Sequence, residues 1–151
     1  MTWQVYDLFR KRQNDGNGAD LDTPGGNGFK VALVDSSYTI NLATHEFWDD
    51  GPEANEVTGT NYTTVGNLCA TPLFTGPDGA GLLTFDATDP DAWAQHASGF
   101  TDARYAVLLL DTGTAGTSRL VAVEDMTTDR GNVAGPFSIE FADGGIITLP
   151  R

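Results

Sequence analysis

Asp111-Thr112-Gly113 is the tripeptide in this chain that has the form of a catalytic signature. In aspartic proteases an Asp on a loop after an apolar strand pairs with its symmetry mate and shares a proton with it. Leu108-Leu109-Leu110 supplies the apolar strand, and Thr114 continues the loop. The accompanying machinery is missing. Gly144 precedes Ile146-Ile147 instead of following it, and Gly116 puts a flexible residue where such a loop would run into a packed strand. A single Asp would also require a dimer. Asp-Thr-Gly is equally the ordinary turn chemistry of a strand end. That reading is favoured, and a dimeric protease using Asp111 is the minor alternative.

The other groups that could do chemistry are weaker. Asp15, Asn17, Asp20 and Asp22 have the flavour of a calcium loop. With Asp15 as first ligand, however, Ala19 falls at the fifth position, Asp20 where Gly is needed and Gly26 where a bidentate Glu belongs. His45, Cys69 and His96 are 24 and 27 residues apart, without the close pairs that make a zinc site. Glu46, Asp49, Asp50 and Glu53 crowd around Trp48, which could describe a carboxylate pair in a glycosidase cleft but fits a solvated acidic loop better. No Ser or Cys sits in a nucleophile elbow, and no Gly-rich phosphate loop occurs. The sequence therefore assigns no catalytic, cofactor-binding or metal-ligating residue, and no cofactor is expected.

Composition sets the class of element that must position these residues. Eighteen Gly and seven Pro among 151 residues, with few Lys, Glu and Gln, deplete helix formers and enrich turns. An all-β single domain follows. The formal charge of −13 would repel nucleic acid and anionic membranes, so neither is an expected partner. Cys69 is alone, so no internal disulfide can form. No stretch approaches the ~18 apolar residues of a membrane span, and the N-terminus lacks the pattern of a secretion signal.

The stretch 103–126 reads as a hairpin of two apolar strands around a polar loop, buried in the middle of a sheet. Further strands are expected at 29–34, 38–42, 56–66, 68–74, 81–86, 137–141 and 146–149, with Gly76-Pro77-Asp78-Gly79 turning 68–74 onto 81–86. Ala19–Asp22 is a candidate short strand, and 92–99 a loop or one helical turn anchored by Trp93. No helix is long enough to connect parallel strands. The architecture expected is an antiparallel β-sandwich, jelly-roll-like. Val5, Leu8 and Phe9 follow helical spacing, so Trp3–Arg12 reads as a short amphipathic helix ended by Asn14-Asp15-Gly16-Asn17-Gly18. Residues 1–28 form this helix or arm and a Gly/Asn/Pro-rich loop; residues 29–151 form the sandwich.

KVALVD at 30–35, YTINLATHEFWDD at 38–50, EVTGTNYT at 56–63 and ARYAVLLLDTGT at 103–114, in this order, resemble a family of small structural proteins of tailed bacteriophages. Their genes lie in virion gene clusters, often beside that of the major capsid protein. The resemblance covers about residues 29–150. It departs from the family in the insertion at 14–28 and in Leu108–Leu110, where a more polar strand is usual. It implies a capsid decoration, or cement, protein: a β-sandwich made in the bacterial cytoplasm that sits on the outer capsid surface and bridges capsomers. The implied partners are the major capsid protein and further copies of the chain, as a dimer or trimer. Trp3, Tyr6, Phe9, Arg10, Lys11 and Arg12 are then the candidate capsid contacts, the equal alternative being a helix that simply caps the core. An alternative within the family is a tail or head-fibre component gripping a host glycan, with Trp48 and Trp93 as stacking platforms.

Overall fold

The computed structural model describes residues 2–21, 24–76 and 82–150 of the chain. Two apolar runs, Phe29–Val34 and Ala106–Leu110, are buried at every position except the half-buried Lys30, so both faces of their sheet must be covered. They form β2 (Gly28–Val34) and β6 (Ala103–Asp111), which pair antiparallel from Gly28↔Asp111 to Val34↔Tyr105. On the other side of β6 lies β7 (Arg119–Arg130), the second arm of the expected hairpin. The sheet is completed at its edges by two-residue strands. β1 (Gln4–Val5) pairs with β7, and β3 (Asn67–Leu68) with β2, giving the order β1-β7-β6-β2-β3. A second antiparallel sheet joins β4 (Leu73–Thr75), β5 (Leu82–Asp86) and β8 (Ile147–Pro150) in the order β4-β5-β8. The fold is all-β, in two antiparallel sheets.

Side chains alternate along β2, so Phe29, Val31 and Leu33 share one face. There Phe29 meets Phe85 of β5 with ring centroids 4.8 Å apart, which joins the two sheets. On the opposite face, Tyr105 meets Tyr38 edge-on at 6.0 Å, and the Tyr38 hydroxyl shares hydrogen bonds of 2.9 Å with Tyr6 and with His45 Nδ1. The segment between β2 and β3 and the N-terminal residues thus cover this face. That is how Leu108, Leu109 and Leu110, pointing to alternate faces, are all buried.

The N-terminal segment divides differently from its periodicity. Only Asp7–Asn14 is helical (α1), with Asp7 in the first turn and Lys11 and Arg12 in the last, each placed favourably for the helix dipole. Gln4 and Val5 are drawn instead into the open edge of β7, and the Tyr6 amide continues that pairing to the Val121 carbonyl at 3.1 Å. Val5, Tyr6 and Phe9 belong to the same core as β2 and β6.

Three expected strands are not regular strands, because their backbone groups find local partners. Residues 38–42 pass into a turn in which Asn41 Oδ1 accepts from the Ala43 and Thr44 amides, both at 3.2 Å. Across 56–66 the Glu56 carboxylate accepts from the Tyr62 hydroxyl at 2.8 Å and from the Val65 amide, and Asn61 and Val65 take positive φ. Along 137–141 only Phe137 forms a bridge, to Trp93, although Ile139 is fully buried. Ala19–Leu21 is likewise not a strand, and Asp22 lies outside the described residues. The strand expected at 68–74 is divided: Leu68 belongs to β3 in the first sheet, 69–72 is not a strand and Thr71 takes a φ of 46°, so only Leu73–Thr75 pairs with β5, the turn at 77–81 lying outside the described residues.

β7 is irregular. Its pairing with β6 slips at Val121, which has no opposite number between the pairs Leu109↔Leu120 and Leu108↔Ala122. It slips again where five steps along β7, Asp125 to Arg130, face two along β6, Tyr105 to Ala103. Thr127 sits in this second bulge with φ of 63°.

Candidate functional site

The loop after β6 is built around Asp111. Lys30 and Asp111 face the same side of the β2–β6 ladder, because Lys30 pairs with Leu109 and Gly28 with Asp111. Lys30 Nζ lies 2.8 Å from Asp111 Oδ2, and Asn27 Nδ2 donates to the same oxygen at 3.0 Å. The other oxygen, Oδ1, accepts from the Gly113 amide at 2.8 Å and from Ser118 Oγ at 3.2 Å. Ser118 Oγ in turn accepts from the Thr112 amide at 3.0 Å. Gly113 has φ of 83°, the left-handed conformation that lets the chain fold back over the carboxylate.

Asp111 is 3% exposed. Burial by itself would raise its pKa, but the Lys30 ammonium, the Gly113 amide and the Asn27 amide outweigh it and hold the carboxyl at about 2. A protease dyad needs the reverse: a carboxyl open to a second carboxyl and able to keep a proton at working pH. Here both oxygens are taken by donors of the same chain. The geometry is that of an anchor for the β6–β7 loop. Sequence reasoning placed the Asp in a turn but missed Lys30, Asn27 and Ser118, which the ladder and the loop bring to it.

Several of the other candidates also have definite partners. Asp15 pairs with Lys11 at 2.9 Å and accepts from the Asn17 amide at 3.2 Å. Glu46 pairs with Arg12 at 2.9 Å, and Asp50 Oδ2 caps the turn at 48–50 by accepting from the Glu46 and Phe47 amides at 2.7 and 2.8 Å. His45 bonds Tyr38, and His96 Nδ1 accepts from the Ser98 amide at 3.0 Å. Cys69 is buried, and burial, with Asp89 nearby, pushes its thiol up to about 12. Among the described residues no group of three or more His, Cys, Asp and Glu could hold a metal ion.

Trp48 and Trp93 are 2% and 1% exposed, so neither can stack against a sugar. Trp93 is packed in an aromatic cluster with Tyr62, Phe100 and Phe137. Of the N-terminal candidates, Tyr6 and Phe9 are buried in the core and so are not surface contacts. Arg10 and Lys11 are exposed, whereas Trp3 and Arg12 are half-buried. Two surface residues passed unnoticed in the sequence. Leu68 on β3 and Leu73 on β4 are 52% and 54% exposed, on edge strands four residues apart in the chain. Leucine in a strand reads as core from pattern alone, so only the pairing reveals them as edge residues.

No family model, no curated protein and no solved structure matches this chain.

Proposed function

We propose that this protein is a structural component of a tailed-bacteriophage virion, a cement protein that binds the outer capsid surface and bridges neighbouring capsomers. The observation that carries the reading is the pair of exposed leucines, Leu68 and Leu73, on the short edge strands β3 and β4. Large apolar side chains on unpaired strand edges are what a soluble β-protein avoids unless another chain docks there. The family resemblance at 29–66 and 103–114 supplies the partner, the major capsid protein. Arg10 adds an exposed basic charge beside Lys11, which is paired with Asp15, on an otherwise acidic chain. Contacts of this modest size gain strength by repetition over a symmetric shell, and a sandwich arrangement of the two sheets suits a surface knob. The glycan-binding alternative loses its motive with the burial of both tryptophans.

The test is uptake of the purified protein by capsids assembled without it, followed by sedimentation, heat challenge and electron microscopy. Saturable binding to the outer shell and increased resistance to heat are expected. The double variant Leu68→Asp/Leu73→Asp should bind at least ~10-fold more weakly. Absence of binding, or location of the chain in the tail, would refute the assignment.

A further inference from the structure

The second bulge of β7 opens a groove of about 490 Å³ between the strand and the segment at 137–138. Its lining includes Glu124, Asp125, Met126, Arg130 and Phe137. Glu124 is only 7% exposed, and its Oε2 is fully buried without a hydrogen-bond partner. A buried carboxylate normally has a counter-charge or several donors. The neighbouring charges do not provide one. The guanidinium of Arg104 is committed to Asp125, whose Oδ1 lies 2.7 Å from its Nε. Arg130 lines the groove but is exposed and makes no ion pair. Trp3, which the β1–β7 register extended by one residue places opposite Glu124, and Trp93, stacked on Phe137, both leave Nε1 without a partner.

From this we infer that the groove is a binding site for an organic monocation, an alkylammonium or alkylguanidinium group, with Glu124 as its counter-ion. One free carboxylate balances one positive charge, and it is too few oxygen ligands for calcium or magnesium. Met126 and Phe137 offer an apolar wall for the alkyl stem, and the ring of Phe137 an additional attraction for the cation. A volume near 490 Å³ accommodates a group of side-chain size with its neighbours. The cation could be carried by a free amine or by a lysine or arginine side chain of another protein; the chemistry at Glu124 is the same.

Titration of the full chain with n-butylguanidinium and n-butylammonium, followed by amide and Met126 methyl chemical shifts, tests the site. Acetyl-Gly-Arg-Gly-amide and acetyl-Gly-Lys-Gly-amide form a second arm that reports whether a side chain on a backbone also enters. Saturable shifts concentrated at 124–131 and 137–138 are expected with at least one probe. Glu124→Gln, which keeps shape and removes charge, should weaken that binding at least ~10-fold, while Glu53→Gln, on a distant loop, leaves it unchanged. Either the absence of saturable shifts in this region with all four probes, or equal binding by Glu124→Gln, would overturn the assignment. Neither outcome bears on capsid binding through Leu68 and Leu73.

Discussion

At the scale of single residues the consequential interaction is the Lys30–Asp111 pair, because both partners are largely withdrawn from water. Breaking such a pair leaves an uncompensated charge inside the protein. Asp111→Asn is therefore expected to lower stability by about 2–3 kcal/mol at pH 7, read as a fall in the urea midpoint. The pH dependence follows from the direction of the shift. The folded carboxyl titrates at about 2, below its ordinary value of 3.8. Its contribution is complete above about pH 5 and is lost as pH falls through 4 toward 2, some ~2 kcal/mol in all. The gap between wild type and Asp111→Asn should accordingly narrow as the denaturation series is carried down to about pH 2. A gap that stayed constant across the series would contradict the ion-pair account. Cys69 offers a second check: with its thiol buried and pushed up to about 12, it should resist a thiol reagent at pH 8 in the native protein and react on unfolding.

At the scale of elements, Gly66 shows how tightly the segment before β3 is tied to β2. Its φ is 78°, and a Cβ there would lie 1.9 Å from the Val31 carbonyl oxygen. Backbone cannot yield as a flexible side chain can. Gly66→Ala should destabilise by about 3 kcal/mol or more, or prevent folding, as judged by thermal melts. The same segment marks where sequence legibility ends. The hairpin of β6 and β7 is readable, because continuous apolar runs separated by turn residues admit few alternatives; that of β4 and β5 is readable only in its pairing, since the run 68–74 is split between the two sheets. Residues 56–66 were misread as a strand because Thr, Val and Tyr favour extended backbone. Propensity could not reveal that the Glu56 carboxylate would take the Tyr62 hydroxyl and the Val65 amide in place of a neighbouring strand. The site at Asp111 was half-legible for a related reason. A turn around an Asp is local chemistry, whereas Lys30 and Asn27 reach it from more than 80 residues away in the chain. The groove at Glu124 was invisible, since it depends on a bulge that no local pattern announced.

At the scale of the whole molecule, a charge of −13 on a chain of this size makes self-repulsion a general cost of compactness. Among the described residues the ion pairs at Lys11, Arg12, Lys30 and Arg104 neutralise four carboxylates, far fewer than the 21 the chain carries. Screening should relieve this. Raising NaCl from about 0.02 to about 0.3 M is expected to increase Tm by about 3–6 °C in calorimetry. A decrease would mean that attractive pairs dominate the surface.

The edge pairing of β1 bears on how the molecule is made. Gln4 and Val5 leave the ribosome more than 100 residues before their partners Val123 and Ala122. β2 waits in the same way for β6. Throughout that interval Phe29, Val31, Leu33 and the aromatic residues around Tyr38 have no sheet to join. Completion of the five-stranded sheet is then a late, nearly all-at-once event, triggered when the β6–β7 hairpin is released from the exit tunnel. Until that moment the apolar side chains of β2 lack the strand β6 that pairs along their whole length.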